Sequence, residues 1–99
     1  MEPKPFPFKE KADTACFSCK HVVHEHKPIL LVSHEVEDEA WQFMCGNEGH
    51  EEKDAVIVKL DLIYNYDTSI GRIADMPLGL FGVRANLKSE WKFYKTKEN

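Results

Sequence analysis

Three cysteines and a histidine in this sequence have the residue types and the spacing of a zinc site. Two residues separate Cys16 from Cys19, and four separate Cys45 from His50. Zinc prefers four thiolate or imidazole ligands in a tetrahedron, and small domains often supply them from paired tight turns. Gly46 follows Cys45 directly, where a tight turn would need a residue without a Cβ. The predicted metal ligands are therefore Cys16, Cys19, Cys45 and His50, and a full set of four predicts a structural zinc ion.

Burial of free thiols explains the same three cysteines without a metal. Free cysteine is among the most buried residue types, and a single Cys-x-x-Cys pair is weak evidence of a site. An odd number of cysteines argues against a disulfide framework, so metal binding and simple burial are the two alternatives. The sequence leaves both of them open.

The fourth ligand has competitors because the chain holds five histidines. His24 and His26 would share one face of an extended segment, so either of them could take the place of His50. His21 and His34 are further candidates. Exposed loop positions are the commoner use of such histidines, and we expect that for each of these four.

Catalytic readings of the cysteines find little support. A redox Cys-x-x-Cys motif needs a helix start in a βαβ setting, where the thiolate is stabilised, and segment 20–28 does not predict that helix. A cysteine hydrolase would need a marked nucleophile and an oxyanion turn, and the sequence indicates neither. We therefore expect a protein that is not an enzyme.

Composition limits the class of protein and of partner. The chain has 99 residues, 42% hydrophobic and 30% charged, which predicts one soluble globular domain. Its longest apolar run, Ile29 to Val32, is far shorter than the roughly 20 residues of a membrane helix. The N-terminus lacks the pattern of a secretory signal, so we expect a cytoplasmic protein without membrane contact. The net charge of −4 disfavours nucleic acid as the main partner and favours a basic protein, and solubility alone would also produce a charge of this size.

The elements that would position the cysteines predict an α+β domain. Prolines alternate with Lys and Phe at the start, so residues 1–13 are predicted as an extended N-terminal arm and residues 14–96 as the single domain. The Cys-x-x-Cys segment is predicted as a turn that leads into a short strand at 22–23. The fold would be a mostly antiparallel sheet of about five strands, with one or two short helices packed on one face. Strands are predicted at 29–34, 40–45, 55–60, 80–85 and 91–95, and short helices at 61–66 and about 69–74.

The hairpin formed by strands 29–34 and 40–45 carries an acidic loop. Its acidic residues could form a surface complementary to a basic protein, because opposite charge steers association. A solvated turn is the commoner use of such a run. Trp41, the first aromatic residue after the loop, is either an anchor for a partner or part of the core. The predicted partner-binding residues are Glu35, Glu37, Asp38 and Glu39.

Several short segments carry a resemblance to a known family through their order and spacing. They are Cys16-Phe-Ser-Cys-Lys-His-Val22, Pro28-Ile-Leu-Leu-Val-Ser-His34, Trp41-Gln-Phe-Met-Cys-Gly46 with His50, Asp67-Thr-Ser-Ile70, and Leu78-Gly-Leu-Phe-Gly-Val-Arg84 before Trp91. Together they cover most of the chain from about residue 14 to 94. In this order they resemble the bacterial immunity-protein-33-like family, which was long described as a domain of unknown function.

The resemblance implies a small cytoplasmic domain, and some members of the family are encoded beside polymorphic toxins and are inferred to neutralise them by binding. It brings no catalytic residues. Many relatives would be expected to have an Asp-Gly turn before the tryptophan, whereas this chain has Glu35-Val-Glu-Asp-Glu-Ala40. The loop is therefore expected to be wider here. The sequence leaves two roles open for Arg84, a functional contact or a salt bridge within the fold.

Overall fold

The computed structural model describes residues 6–37, 39–46 and 55–95. Within them the chain forms six strands, two α-helices and one 3₁₀ helix. In chain order these are β1 (Ala15–Cys19), α1 (Lys20–Val23), β2 (Leu31–His34), β3 (Trp41–Met44), β4 (Ala55–Lys59), α2 (Leu60–Tyr66), the 3₁₀ helix (Thr68–Ile73), β5 (Leu80–Val83) and β6 (Lys92–Lys95).

The strands form one mixed sheet in the order β4-β1-β3-β2-β5-β6. All neighbours pair antiparallel except β1 and β3, which are parallel. The predicted α+β class and the mostly antiparallel sheet are confirmed. The strand count is six rather than about five, and the parallel pair was not predicted.

The extra strand comes from the Cys-x-x-Cys segment. The sequence predicted a turn there with a strand at 22–23, but Ala15–Cys19 is itself the strand and Lys20–Val23 is a short helix. Cys16 and Ser18 alternate inwards along β1, as strand geometry requires of buried positions. The hydroxyl of Ser18 donates to the carbonyl oxygen of Phe43 on β3 at 2.6 Å.

The predicted hairpin of β2 and β3 is confirmed. Val32 pairs with Phe43 and His34 with Trp41, so these four side chains share one face of the sheet. In the loop between the strands, Glu39 has a φ of 57°. This left-handed conformation is one that glycine adopts most easily, so a glutamate stands where a glycine would be the usual choice.

Helices and an N-terminal segment cover that face of the sheet. Leu60 and Ile63 of α2 are buried in the same core cluster as Val32, Trp41 and Phe43. Helix α2 begins at Leu60, directly after β4. Leu60 and Ile63 are one turn apart, so both side chains lie on the buried side of the helix. Leu62 and Tyr66 lie on the outer side of this helix, where their side chains are 52% and 37% exposed.

Phe8 ties the N-terminal segment to the core. It is 4% exposed, and its ring centroid lies 5.2 Å from that of Trp41 and 6.0 Å from that of Phe43, both in edge-on contacts. This part of the predicted arm therefore belongs to the hydrophobic core. Among the helices that the structure describes, none has the length and apolarity needed to cross a bilayer.

Candidate metal centre

The parallel pair of strands brings two cysteines to the same edge of the sheet. Ser18 of β1 pairs with Phe43 of β3, and the two strands run in the same direction. Cys19 follows Ser18 by one residue and Cys45 follows Phe43 by two, so both lie where adjacent strands end. The predicted approach of Cys19 to Cys45 is present, although it depends on a parallel pairing that the sequence did not indicate.

Helix α1 adds an imidazole to the two thiols. It begins directly after Cys19, which adopts an extended conformation at the start of the helix. One ligand atom from each of Cys19, His21 and Cys45 lies within 4.8 Å of the other two. In a tetrahedral zinc site with Zn–S bonds near 2.3 Å, two sulfurs are about 3.8 Å apart. Only a small contraction would bring this group into the range of metal coordination.

The backbone after β3 supports the position of Cys45. Gly46 has a φ of 79°, and a Cβ built there would lie 3.3 Å from the Cβ of Leu30. Both the left-handed φ and the close approach favour glycine at this position. The predicted need for a residue without a Cβ after Cys45 is thus met by the backbone conformation.

The three side chains differ in exposure to solvent. Cys19 is only 2% exposed, whereas His21 and Cys45 are half-buried. A cleft of about 230 Å³ is lined by His21 and Cys45 together with Lys27, Pro28 and Leu30. The group can therefore be reached from solvent on the side of His21 and Cys45. Three protein ligands would leave one tetrahedral position for water or for another residue.

Cys16 lies outside this group. Its side chain is 1% exposed in the core, and burial raises the pKa of its thiol to about 12. Metals bind the thiolate, and burial of Cys16 in the core disfavours that charged form. The structure thus places two of the four predicted ligands together, while the fourth, His50, lies outside the described residues.

His21 joins the site, although it was expected to be an exposed loop residue. The signal that could have identified it is the Cys-x-His spacing of 19–21, which becomes meaningful once a helix turns the chain back. His26 instead stacks on Tyr66, with ring centroids 6.3 Å apart. The prediction of an exposed loop position was wrong for His34, which is 3% exposed and stacks on Trp41 at 3.9 Å.

The acidic loop is mostly exposed at the opposite end of β3. Glu37 and Glu39 are exposed, while Glu35 is half-buried and accepts a hydrogen bond from the hydroxyl of Ser33 at 3.0 Å. The fourth predicted partner-binding residue, Asp38, lies outside the described residues. Val36 is 53% exposed beside the two exposed glutamates. Trp41 is 2% exposed, which places it in the core rather than on a binding surface.

Arg84 has a structural role in the fold. Its guanidinium lies 2.8 Å from Asp67, donates to the hydroxyl of Ser69 at 2.9 Å and to the carbonyl oxygen of Ile29 at 3.0 Å. The guanidinium carbon also lies 4.3 Å from the centroid of the Trp91 ring. Of the two roles left open by the sequence, the salt bridge within the fold is the one observed.

Comparisons with known proteins did not identify a relative of this chain. Searches against protein-family models, curated proteins and solved structures each gave no significant match to this chain. The resemblance to the immunity-protein-33-like family therefore stays a prediction carried by its residues.

Proposed function

We propose that this chain is a non-enzymatic binding domain in which Cys19, His21 and Cys45 bind one zinc ion. The observation that carries the proposal is the convergence of their three ligand atoms within 4.8 Å at one edge of the sheet. Two thiolates and an imidazole are ligands that favour zinc among the common divalent ions. The ion would hold the ends of β1 and β3 and the start of α1 together.

Zinc binding would add stability to a domain of this size. A small core supplies little net free energy of folding, and an ion that binds only the folded chain adds to it. At a free zinc concentration of one hundred times the dissociation constant, the gain is about 2.7 kcal/mol. This role needs no catalytic step, and the proposal assigns none.

Native mass spectrometry and a competitive chelator titration test the zinc site. We expect one zinc per chain. Cys19→Ser and His21→Ala should each lower the zinc affinity at least about 100-fold. Even mutation of residues that hydrogen-bond to metal ligands lowers metal affinity about 10–100-fold, and these two variants remove a ligand itself. Cys16→Ala is the matched control and should keep its affinity, since Cys16 lies outside the group. Equal affinity in Cys19→Ser and Cys16→Ala would contradict the proposed site.

A second proposal concerns the partner. The resemblance suggests a toxin-immunity protein of the cytoplasm, and the exposed Glu37 and Glu39, with the exposed Val36 directly before Glu37, favour a basic protein as the partner. Charged groups of this kind guide association, and an exposed apolar side chain adds contact area. We propose that the loop between β2 and β3 covers a basic surface of a toxin.

Charge reversal tests this proposal. The chain would be expressed with the products of its neighbouring genes, and complex formation would be measured by co-purification. We expect Glu37→Lys combined with Glu39→Lys to weaken capture of a basic partner at least tenfold, because like charges across an interface cost several kcal/mol. Glu25 and Glu90 are exposed and lie outside the loop between β2 and β3, so Glu25→Lys with Glu90→Lys makes the same charge change elsewhere and should leave capture intact. Unchanged capture by the loop variant would exclude the acidic loop as the interface.

A further inference from the structure

We propose that Cys19 and Cys45 are a reversible oxidation site, in which a hydroperoxide joins the two thiols in a disulfide that removes both sulfur ligands from zinc. The exclusion of zinc depends on the zinc site proposed above. Formation of the disulfide does not depend on it.

The strand geometry places the two cysteines within reach of a disulfide. They lie at the ends of adjacent parallel strands, whose backbones are about 4.8 Å apart. Because Ser18 pairs with Phe43, Cys19 and Cys45 are offset by one residue, and spacings of about 4.8 Å across and about 3.3 Å along the strands give a diagonal of about 5.8 Å. Disulfides join residues whose Cα atoms are about 4.4–6.8 Å apart, a range that includes this diagonal. The two sulfurs lie within 4.8 Å of each other, so an S–S bond of about 2.0 Å requires them to approach by less than about 3 Å.

The two thiols differ in access to a small oxidant. Cys45 lines the cleft of about 230 Å³, which is several times the roughly 30 Å³ that one water occupies in the liquid. Hydrogen peroxide is only slightly larger than water and fits this space. Cys19 is 2% exposed and lies next to Cys45. The sulfur of Cys45 therefore reacts with the oxidant first, and the sulfur of Cys19 then reacts with the oxidised Cys45 to form the disulfide.

The chemistry balances in two steps. The sulfur of Cys45 attacks one peroxide oxygen, so that an S–O bond forms, the O–O bond breaks and the second oxygen leaves as water with the thiol proton. The sulfur of Cys19 then attacks the sulfur of Cys45. The S–S bond forms, the S–O bond breaks, and a second water leaves with the proton from Cys19. Two thiols are oxidised by two electrons, and the peroxide is reduced to two waters.

Disulfide formation and zinc binding require the same sulfur atoms. Metals bind the thiolate, and neither sulfur of a disulfide is a thiolate. Oxidation would leave His21 as the single remaining ligand of the group. The zinc-bound and disulfide forms are thus mutually exclusive. A reductant would cleave the disulfide and restore the thiols that bind zinc.

Cys16 provides an internal control. It is buried in the core, does not line the cleft and lies outside the group of three ligand atoms. It is also separated from Cys19 by only two residues, so a test must distinguish the two thiols. In Cys16→Ala only Cys19 and Cys45 are left to react. If alanine destabilises the core, Cys16→Val fills more of the space and serves the same purpose.

The test treats the full chain of Cys16→Ala, metal-free and zinc-loaded, with hydrogen peroxide. Intact mass should fall by two hydrogen atoms, and non-reducing peptide mapping should show the Cys19 peptide joined to the Cys45 peptide within one chain. A dithiol reductant should reverse both changes. The zinc-loaded sample should release its one zinc as the disulfide forms, measured with a colorimetric chelator.

Other outcomes separate the two proposals. Sulfinic or sulfonic acids without a cross-link, or a cross-link only between chains, would overturn the oxidation site. A Cys16 to Cys19 disulfide in the unmodified chain would do the same. A cross-link in metal-free protein that binds no zinc would overturn the zinc site and leave the oxidation site standing.

Discussion

Replacement of Arg84 by methionine is expected to lower the free energy of unfolding by about 3–5 kcal/mol, the usual cost of removing one partner of a buried ion pair. The side chain of Arg84 is 2% exposed and that of Asp67 is 14% exposed, so solvent screens the pair weakly. Methionine fills much of the same volume but donates no hydrogen bond. Asp67 would lose its charged partner, and the carbonyl oxygen of Ile29 would lose a donor.

Urea unfolding followed by circular dichroism measures this loss. Arg84→Lys keeps the charge but not the planar group that reaches Asp67, Ser69 and the Trp91 ring at once, so an intermediate loss is expected. A double-mutant cycle with Asp67→Asn isolates the energy of the pair from the other contacts. A loss below about 1 kcal/mol in Arg84→Met would show that the ion pair contributes no more than a surface pair does.

Local patterns predicted much of the fold. The apolar run before His34 and the alternation from Trp41 to Met44 indicate two strands, and the short loop between them predicts antiparallel pairing. Asp67 stands just before the second predicted helix, where aspartate is a favoured cap, and its side chain accepts a hydrogen bond from the backbone N–H of Ser69 at 3.0 Å. These features depend on residues close together in the chain, where sequence patterns are most informative.

The parts that failed depend on distant pairing. Nothing local to Ala15–Cys19 indicates that it lies between β4 and β3, about 40 and 25 residues further along. Without that placement, the sequence of this segment predicts a turn. The parallel pair that brings Cys19 close to Cys45 is then not predicted. The role of His21 follows from the same placement, because α1 only turns towards Cys45 once β1 is a strand. The partners of Arg84 likewise come from elements 15 to 55 residues away.

Replacement of Phe8 by alanine is expected to lower the free energy of unfolding by about 3–5 kcal/mol, the usual range when a core phenylalanine is truncated to alanine. The sequence predicted an extended arm over residues 1–13, and an arm held loosely would tolerate this change. The structure instead packs the Phe8 ring between Trp41, Phe43 and Tyr64, all at centroid distances of 5.2–6.2 Å. Its removal would leave a cavity against the face of the sheet that carries β2 and β3.

Phe6→Ala is the matched control for Phe8→Ala. Phe6 is half-buried and contacts the same cluster through Phe8 and Tyr64, at centroid distances of 5.6 and 5.7 Å. Since folding buries less apolar area at Phe6 than at Phe8, Phe6→Ala should lower the free energy of unfolding clearly less than Phe8→Ala does. Urea unfolding should show a lower midpoint for Phe8→Ala at an unchanged slope. Equal, small losses in both variants would mean that the N-terminal segment contributes little to the core, and that the domain begins at β1.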